Sequence, residues 1–225
     1  MARREPLNRE KILDAALALA AEEGLDGLSM RKLAKSLGVE AMSLYNHVSN
    51  KADILDGIAE RAFGEIECPD PALPWPDRVR AIALSMYRAF SRHSVVPLAL
   101  ATDQANPTSE TALRPLDALV GALFEAGFPD DDARRMLTAV NSVIFGSLLL
   151  STAGFTVDDF PADAGGRQVD LFARRIDPAR LPHFSRLLTT LPAADPQVDF
   201  ERALDVLITG LVAAAPGGAP NSPAP

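Results

Sequence analysis

Apolar residues recur at helical spacing almost from the start of the chain, while signals for strands are weak throughout. Asn8 is a good N-cap, and Ile12, Ala16, Leu19 and Ala20 follow at i, i+4, i+7 and i+8 until Gly24, which predicts a first helix over about 9–23. Ser29 caps a short second helix whose inner stripe is Met30, Leu33, Ala34 and Leu37, with Arg31, Lys32 and Lys35 outward and Gly38 as its end. A third helix, about 40–47, turns Leu44 inward with Val48 behind it. Asn50 caps a fourth, about 51–66, with Ile54, Leu55, Ile58, Ala62 and Phe63 on its apolar face.

The Pro-rich run CPDPALPWP at 68–76 then breaks helicity and predicts a boundary between a small head and a larger body. Helical period returns at once. Val79, Ile82, Ala83, Met86 and Phe90 form one stripe, and Leu116, Leu119, Val120, Leu123 and Phe124 another, closed by Gly127 and Pro129. Residues 130–151 are apolar on two sides, with Met136, Val140, Ile144 and Leu148 on one and Leu137, Phe145 and Leu149 on the other, so this helix must be covered from two directions. The segment 198–214 behaves similarly: Phe200, Leu204, Leu207, Ile208, Leu211 and Val212 form its main stripe, and Ala203, Val206, Gly210 and Ala213 leave a smooth side of small residues. Residues 154–182 read as a loop with at most a short helix, and the terminal PGGAPNSPAP as disordered. The expected fold is all-α: a head with its connecting helix at 1–67, a linker at 68–76, a helical body at 77–215 and a tail at 216–225.

Composition leaves this picture intact, since 48% hydrophobic and 23% charged residues are ordinary for a globular chain. The longest apolar tracts, 143–150 and 206–215, fall far short of the roughly 20 residues a membrane span requires, and the N-terminus lacks the apolar run of a signal peptide. Cys68 is the one cysteine, with no partner at zinc-ligand spacing, which suits a structural thiol in a reducing cytoplasm.

Charge changes the picture more. A net charge of −8 argues against a nucleic-acid partner until its distribution is read. Lys and Arg outnumber Asp and Glu by 8 to 7 over residues 1–51, whereas the remainder has 14 against 23. All four lysines lie in the first segment, and from Ser29 to Lys51 four cations (Arg31, Lys32, Lys35, Lys51) face one acid, Glu40. A small cationic head sits on an acidic body.

Two short helices joined by Leu37, Gly38 and Val39 are what a helix-turn-helix requires: the sharp turn favours a residue tolerant of positive φ, and the helix crossing wants a small residue, here Ala34. A helix in the major groove reads base edges with hydrogen-bonding and small apolar side chains, held in register by phosphate contacts from its ends. Ala41, Met42, Ser43, Tyr45, Asn46 and His47 are such residues. An enzyme reading finds no support in spacing: His47, His93 and His183 lie in different segments, and neither a nucleophile elbow nor an H-E-x-x-H motif occurs. No catalytic residue, metal or cofactor is therefore assigned.

The run S-M-R-K-L-A-K-S-L-G-V-E-A-M-S-L-Y-N-H-V-S-N-K-A-D-I-L-D, with its L-G-V, L-Y-x-H-V and N-K elements, resembles the signature of the tetracycline-repressor-like (TetR) bacterial transcription regulators. The resemblance is strong over about 8–63. It implies that Tyr45 and Lys51 contact phosphates and that Met30, Arg31, Ala41, Met42, Ser43, Asn46 and His47 approach bases or backbone. One departure is the opening Ala41-Met42, where members that read bases polarly often carry glutamine; this operator would be read more through apolar contacts and DNA shape.

A weaker resemblance continues into the body, through Trp75 and a helix ending at His93, the Phe124 to Gly127 segment, and F-E-x-A-L-x-x-L-I-x-G-L from Phe200 to Leu211. It implies an all-helical domain that dimerises through a four-helix bundle, here helices at about 130–151 and 198–214, and holds a small-molecule effector between helices. Tetracycline recognition does not carry over, because the positions corresponding to its polar ligands read Gly64, Ile82, Met86 and Leu100. Ile82, Met86, Phe90, Met136, Val140 and Ile144 would line a site for an apolar, metal-free ligand. Together these features predict a repressor that binds a palindromic operator as a homodimer and is released by that ligand. A second reading is a helix-turn-helix dimer that serves as a protein-interaction module without a DNA target.

Overall fold

The computed structural model describes residues 6–152, 176–188 and 195–216, and within these every regular element is a helix. The head consists of α1 (Arg9–Gly27), α2 (Met30–Leu37), α3 (Ala41–Leu44) and α4 (Lys51–Gly64). The body consists of α5 (Trp75–Arg92), α6 (Val95–Ala101), α7 (Glu110–Glu125), α8 (Asp130–Thr152), α9 (Pro182–Leu188) and α10 (Pro196–Ala214). The loop expected within 154–182 lies outside the described residues up to 175, as does the expected tail beyond Pro216.

The caps are those that sequence chemistry demands. Asn8 Oδ1 accepts from Lys11 N at 2.9 Å, Asn50 Oδ1 from Asp53 N at 3.0 Å, Ser109 Oγ from Ala112 N at 3.3 Å, and Asp195 Oδ1 from Gln197 N at 2.9 Å. Each removes one orphan donor of a first helical turn. Gly24 (φ 73°, ψ 174°) interrupts α1 where the apolar period stops, and Leu25 and Leu28 beyond it still reach the core.

Four elements depart from expectation. Helix α3, expected over about 40–47, ends at Leu44, where His47 N donates to Leu44 O and tightens the chain into a turn. Helix α5 begins inside the Pro-rich run, at Trp75, because Pro76 occupies the first turn, where a missing N–H costs nothing; the break in helicity therefore ends at Pro74. Helix α6 was not expected. Its sequence VVPLALA has no amphipathic period and carries Pro97 in its first turn, yet it packs on α1, α4 and α8, wedged between head and body. On α7 the inner face is made by Ala112, Pro115, Leu119, Ala122 and Leu123, while Phe124, read as part of the stripe, is exposed. Small residues allow close approach to α4, α5 and α8, so they rather than the bulkiest side chains set the rotation of this helix.

One apolar cluster runs without interruption from Ile12 in the head to Ala215 at the end of α10. Aromatic rings carry it across the junction: Phe63 of α4 meets Phe90 of α5 edge to face at 5.2 Å, and Phe90 meets Phe145 of α8 at 5.7 Å. Tyr87 stacks on Phe200 of α10 at 4.1 Å. Polar groups reinforce the junction at its rim. Glu65, which follows α4, accepts from His93 at 2.6 Å and from Arg92 at 2.6 and 2.9 Å; the His93 hydrogen bond first, then those of Arg92, hold its carboxyl below the usual carboxylate range.

Candidate nucleic-acid interface

The surface of α3 is built by its neighbours. Ser29 Oγ caps α2 by accepting from Lys32 N at 3.3 Å, and α2 ends at Gly38, whose left-handed conformation (φ 66°, ψ 36°) is one that a side chain would strain. Val39 N then donates to Ala34 O at 3.0 Å and Gly38 N to Lys35 O at 3.2 Å, the paired bonds of a Schellman turn. That turn reverses the chain and sets α3 across α2. Helix α3 is only four residues long, so its position rests on Leu44 and Val48, which are buried against the head core. The rest of the segment turns outward: Met42 is 72% and Tyr45 47% exposed, Asn46 and His47 are exposed beside them, and Ala41 and Ser43 are half-buried.

Around this surface the cations divide. Arg31 and Lys35 are exposed on α2 and make no ion pair among the described residues, whereas Lys32 is paired with Glu23 of α1. Lys51 Nζ donates to Leu25 O at 2.5 Å, which uses one of its three N–H bonds and ties the start of α4 to the end of α1. At the same corner Asp53 Oδ1 accepts from Arg9 Nη2 at 2.6 Å and Asp53 Oδ2 from Ser49 N at 2.7 Å, while Arg9 Nη1 reaches His47 O at 3.5 Å. This brace fixes the backbone that carries His47 to both α1 and α4.

The Arg9 hydrogen bond, foremost, holds the Asp53 carboxyl below its ordinary value of 3.8. The unfolded chain therefore binds this proton more readily than the folded one, so the stabilisation is complete above pH 3.8 and is lost as pH falls through the lower folded value. At a partly exposed pair the effect is on the order of 0.2–1 kcal/mol. Asp53→Asn should lower the urea midpoint at pH 7 and leave a much smaller difference from the parent chain at pH 2.5, measured by circular dichroism.

The body contains a cavity of about 270 Å³ between α4, α5, α6, α7 and α8, lined by Phe63, Met86, Leu100, Ala101, Leu116, Asn141 and Phe145. Six of the seven are apolar. A second hollow, of about 510 Å³, borders residues 65–69 and α5 and is lined by four charged groups, Glu65, Glu67, Arg88 and Arg92, beside Cys68, Pro69, Ala81, Leu84 and Ser85. The first touches both halves of the molecule: Phe63 lies in the last turn of the head's last helix, and Leu100 and Ala101 belong to α6, which packs on α1 and α4.

The family profile described as "Bacterial regulatory proteins, tetR family" matches residues 12–58, and that described as "Tetracyclin repressor-like, C-terminal domain" matches residues 68–215. The chain belongs to the TetR family. An HTH-type transcriptional regulator of Saccharopolyspora erythraea is 33% identical over 216 residues, covering 93% of this chain and 86% of that protein. The class A tetracycline repressor protein from transposon 1721 of Escherichia coli is 31% identical over 210 residues, 91% of this chain and 90% of its own. In structure the chain is similar to the Streptomyces coelicolor TetR family protein ActR in complex with actinorhodin (TM-score 0.73, 26% identity), covering 97% of this chain and all of that one.

As a TetR family protein it is a helix-turn-helix transcriptional regulator with a ligand-binding C-terminal domain, and the family is one of regulators rather than enzymes. Such regulators bind operator DNA as dimers and respond to small molecules. Membership does not favour the reading as an interaction module without a DNA target. Among the described residues no helix is long and apolar enough to cross a membrane.

Of the residues expected at the TetR DNA surface, Arg31, Met42, Tyr45, Asn46 and His47 lie exposed together, and Ala41 and Ser43 are half-buried at its base. Met30 is partly buried and packs against the core, so it supports α2 more than it presents a side chain. Of the six residues expected around the ligand, Met86 alone lines the cavity. Ile82, Phe90, Val140 and Ile144 are fully buried core, and Met136 packs against that core away from the cavity lining. Period reading finds the most inward positions of a helix, whereas a cavity between helices is lined by positions on the flank of the stripe. Leu116 and Phe145 carried the necessary signal as apolar residues at stripe edges; Ala101 and Asn141 carried none.

Proposed function

We propose that this protein represses transcription by occupying a palindromic operator as a homodimer, and that a small, mainly apolar molecule in the α4–α8 cavity releases it. The observation that carries the DNA reading is the outward surface of α3 and the turn after it, with Met42, Tyr45, Asn46 and His47 exposed beside Arg31 and Lys35, cations that make no ion pair among the described residues. Arg31, Lys51 and Tyr45 would hold phosphates; Lys51 can do so with the N–H bonds it does not spend on Leu25. Ala41, Met42, Ser43, Asn46 and His47 would meet base edges, with Met30 as their support. One such head spans few base pairs, so two heads related by a two-fold axis would meet major grooves about 34–36 Å apart. The setting is the cytoplasm, where the DNA is.

The homodimer would form through α8 and α10. Val198, Ala203, Val206, Gly210 and Ala213 of α10 face outward, and a Cβ built on Gly146 of α8 or Gly210 of α10 meets nothing within 4 Å. Largely small and apolar, with exposed Asp199, Arg202 and Thr209 among these residues, this face suits a second copy of itself. Release would run through α6. A ligand displacing Leu100 and Ala101 moves a helix that packs on α1 and α4, and the Asp56 carboxylate of α4 also accepts from Asn106 N at 2.6 Å, just beyond α6. A difference of about 1–3 kcal/mol in ligand affinity between two head spacings is enough for regulation. The complex of the similar ActR with actinorhodin supports a small-molecule ligand here.

Selection from random duplexes by the purified protein, followed by sequencing, tests the reading. A palindrome should emerge, its affinity should fall steeply with added salt, and Tyr45→Ala should weaken binding by about 10- to 100-fold because the contact is lost in both heads. No enrichment even at low salt would favour the interaction module instead.

A further inference from the structure

We infer that the side-chain amide of Asn141 is the polar anchor of the effector, whose class is therefore a largely apolar molecule carrying a hydrogen-bonding group such as a hydroxyl. This rests on the reading of the α4–α8 cavity as the effector site. Asn141 is the one polar residue in that lining, opposite Phe63, Met86, Leu116 and Phe145. Its side-chain oxygen is buried and has no hydrogen-bond partner among the described residues.

The two other buried polar atoms in that condition, Arg78 Nε and Ser185 Oγ, belong to residues outside the lining of this cavity. Helix α8 itself offers Asn141 no relief. Ser142 Oγ donates to Thr138 O at 2.8 Å and Thr138 Oγ1 to Arg134 O at 2.9 Å, so these neighbours satisfy themselves on their own helix, as short hydroxyl side chains do. Asn141 instead sits on the flank of the Val140–Ile144–Leu148 stripe, turned toward the hollow. An orphaned amide destabilises the empty protein, and an apolar side chain would fill the position without that penalty. A ligand carrying a hydroxyl can donate to the oxygen or accept from the nitrogen of the same amide, so either orientation of the amide serves.

Asn141→Val separates the possibilities, because valine and asparagine have similar helix propensity, so the change reads the exchange of the amide for apolar surface. Without ligand, Asn141→Val should melt about 2 °C or more above the parent protein; a lower melting temperature would mean that the amide is satisfied already and would overturn the inference. The second measurement titrates both full-length proteins with 2-naphthol and with 2-methylnaphthalene, equal in shape but differing in the hydrogen-bonding group. The preference for naphthol should fall about tenfold in Asn141→Val, since a site built to hydrogen-bond a hydroxyl rejects the analogue lacking it. If both probes bind and the preference is unchanged, the cavity remains a site for apolar ligands and the anchor is refuted. If neither probe binds either protein, the cavity reading fails and takes the anchor with it.

Discussion

Val206→Glu is expected to turn a dimer into a monomer and to lower operator affinity by at least about 100-fold. Val206 is the most exposed large apolar side chain described in the chain, at 75%, and lies on the outward face of α10 among Ala203, Gly210 and Ala213. In an interface related by a two-fold axis every substitution is present twice. A carboxylate moved into this contact loses hydration that exposed Arg202, one turn away, offsets only in part, at about 2 kcal/mol on each subunit, so roughly 4 kcal/mol in the pair, or about 1,000-fold in the dimer dissociation constant. Sedimentation equilibrium reads the first effect and fluorescence anisotropy on the selected operator the second. A dimer that persists at micromolar concentration would place the interface on another face.

Leu44→Ala should be the most damaging small change in the head. Leu44 is fully buried and is the last residue of a four-residue helix that cannot hold its own shape in water. The turn after it also depends on this position, since His47 N and Val48 N both donate to Leu44 O, at 2.9 and 3.0 Å. Truncation removes the side chain that seats α3 and leaves a cavity beneath it, for an expected loss of about 2–5 kcal/mol. Chemical denaturation should show a lower midpoint, and operator binding should be lost with it because Tyr45, Asn46 and His47 no longer share one geometry. Alanine at Asn46, exposed on the same segment, is the control: its midpoint should stay within about 0.5 kcal/mol of the parent. A midpoint for Leu44→Ala close to that of the parent would mean that α3 is seated by something other than this leucine.

The head was legible because its chemistry is local. Asn8, Ser29, Gly38 and Asn50 each act within a few residues of their own position, as caps or as the left-handed stop, so one pass along the chain locates α1, α2 and α4, whereas the end of α3 at Leu44 carries no such mark. Buried positions at helical period, such as Leu33, Leu44 and Ile58, were legible for the same reason. The body was legible as helices but not as a site. Helix α6 has no period to read, since Val95, Val96, Pro97 and Ala99 are all buried by contacts from three sides. The cavity lining joins residues from Phe63 to Phe145, and which flank of each helix faces the gap depends on the crossing geometry. Nor could spacing reveal that Lys32 spends its charge on Glu23 while Arg31 and Lys35 keep theirs.

The ring-to-ring path Phe63–Phe90–Phe145 has a thermal consequence. With one apolar cluster spanning both halves of the chain, there is no seam at which the head can melt while the body stays folded. Heating should give a single cooperative transition, and any compound that fills the cavity should raise that transition for the DNA-reading half as well. A melting scan could then serve as a ligand screen long before an operator is in hand.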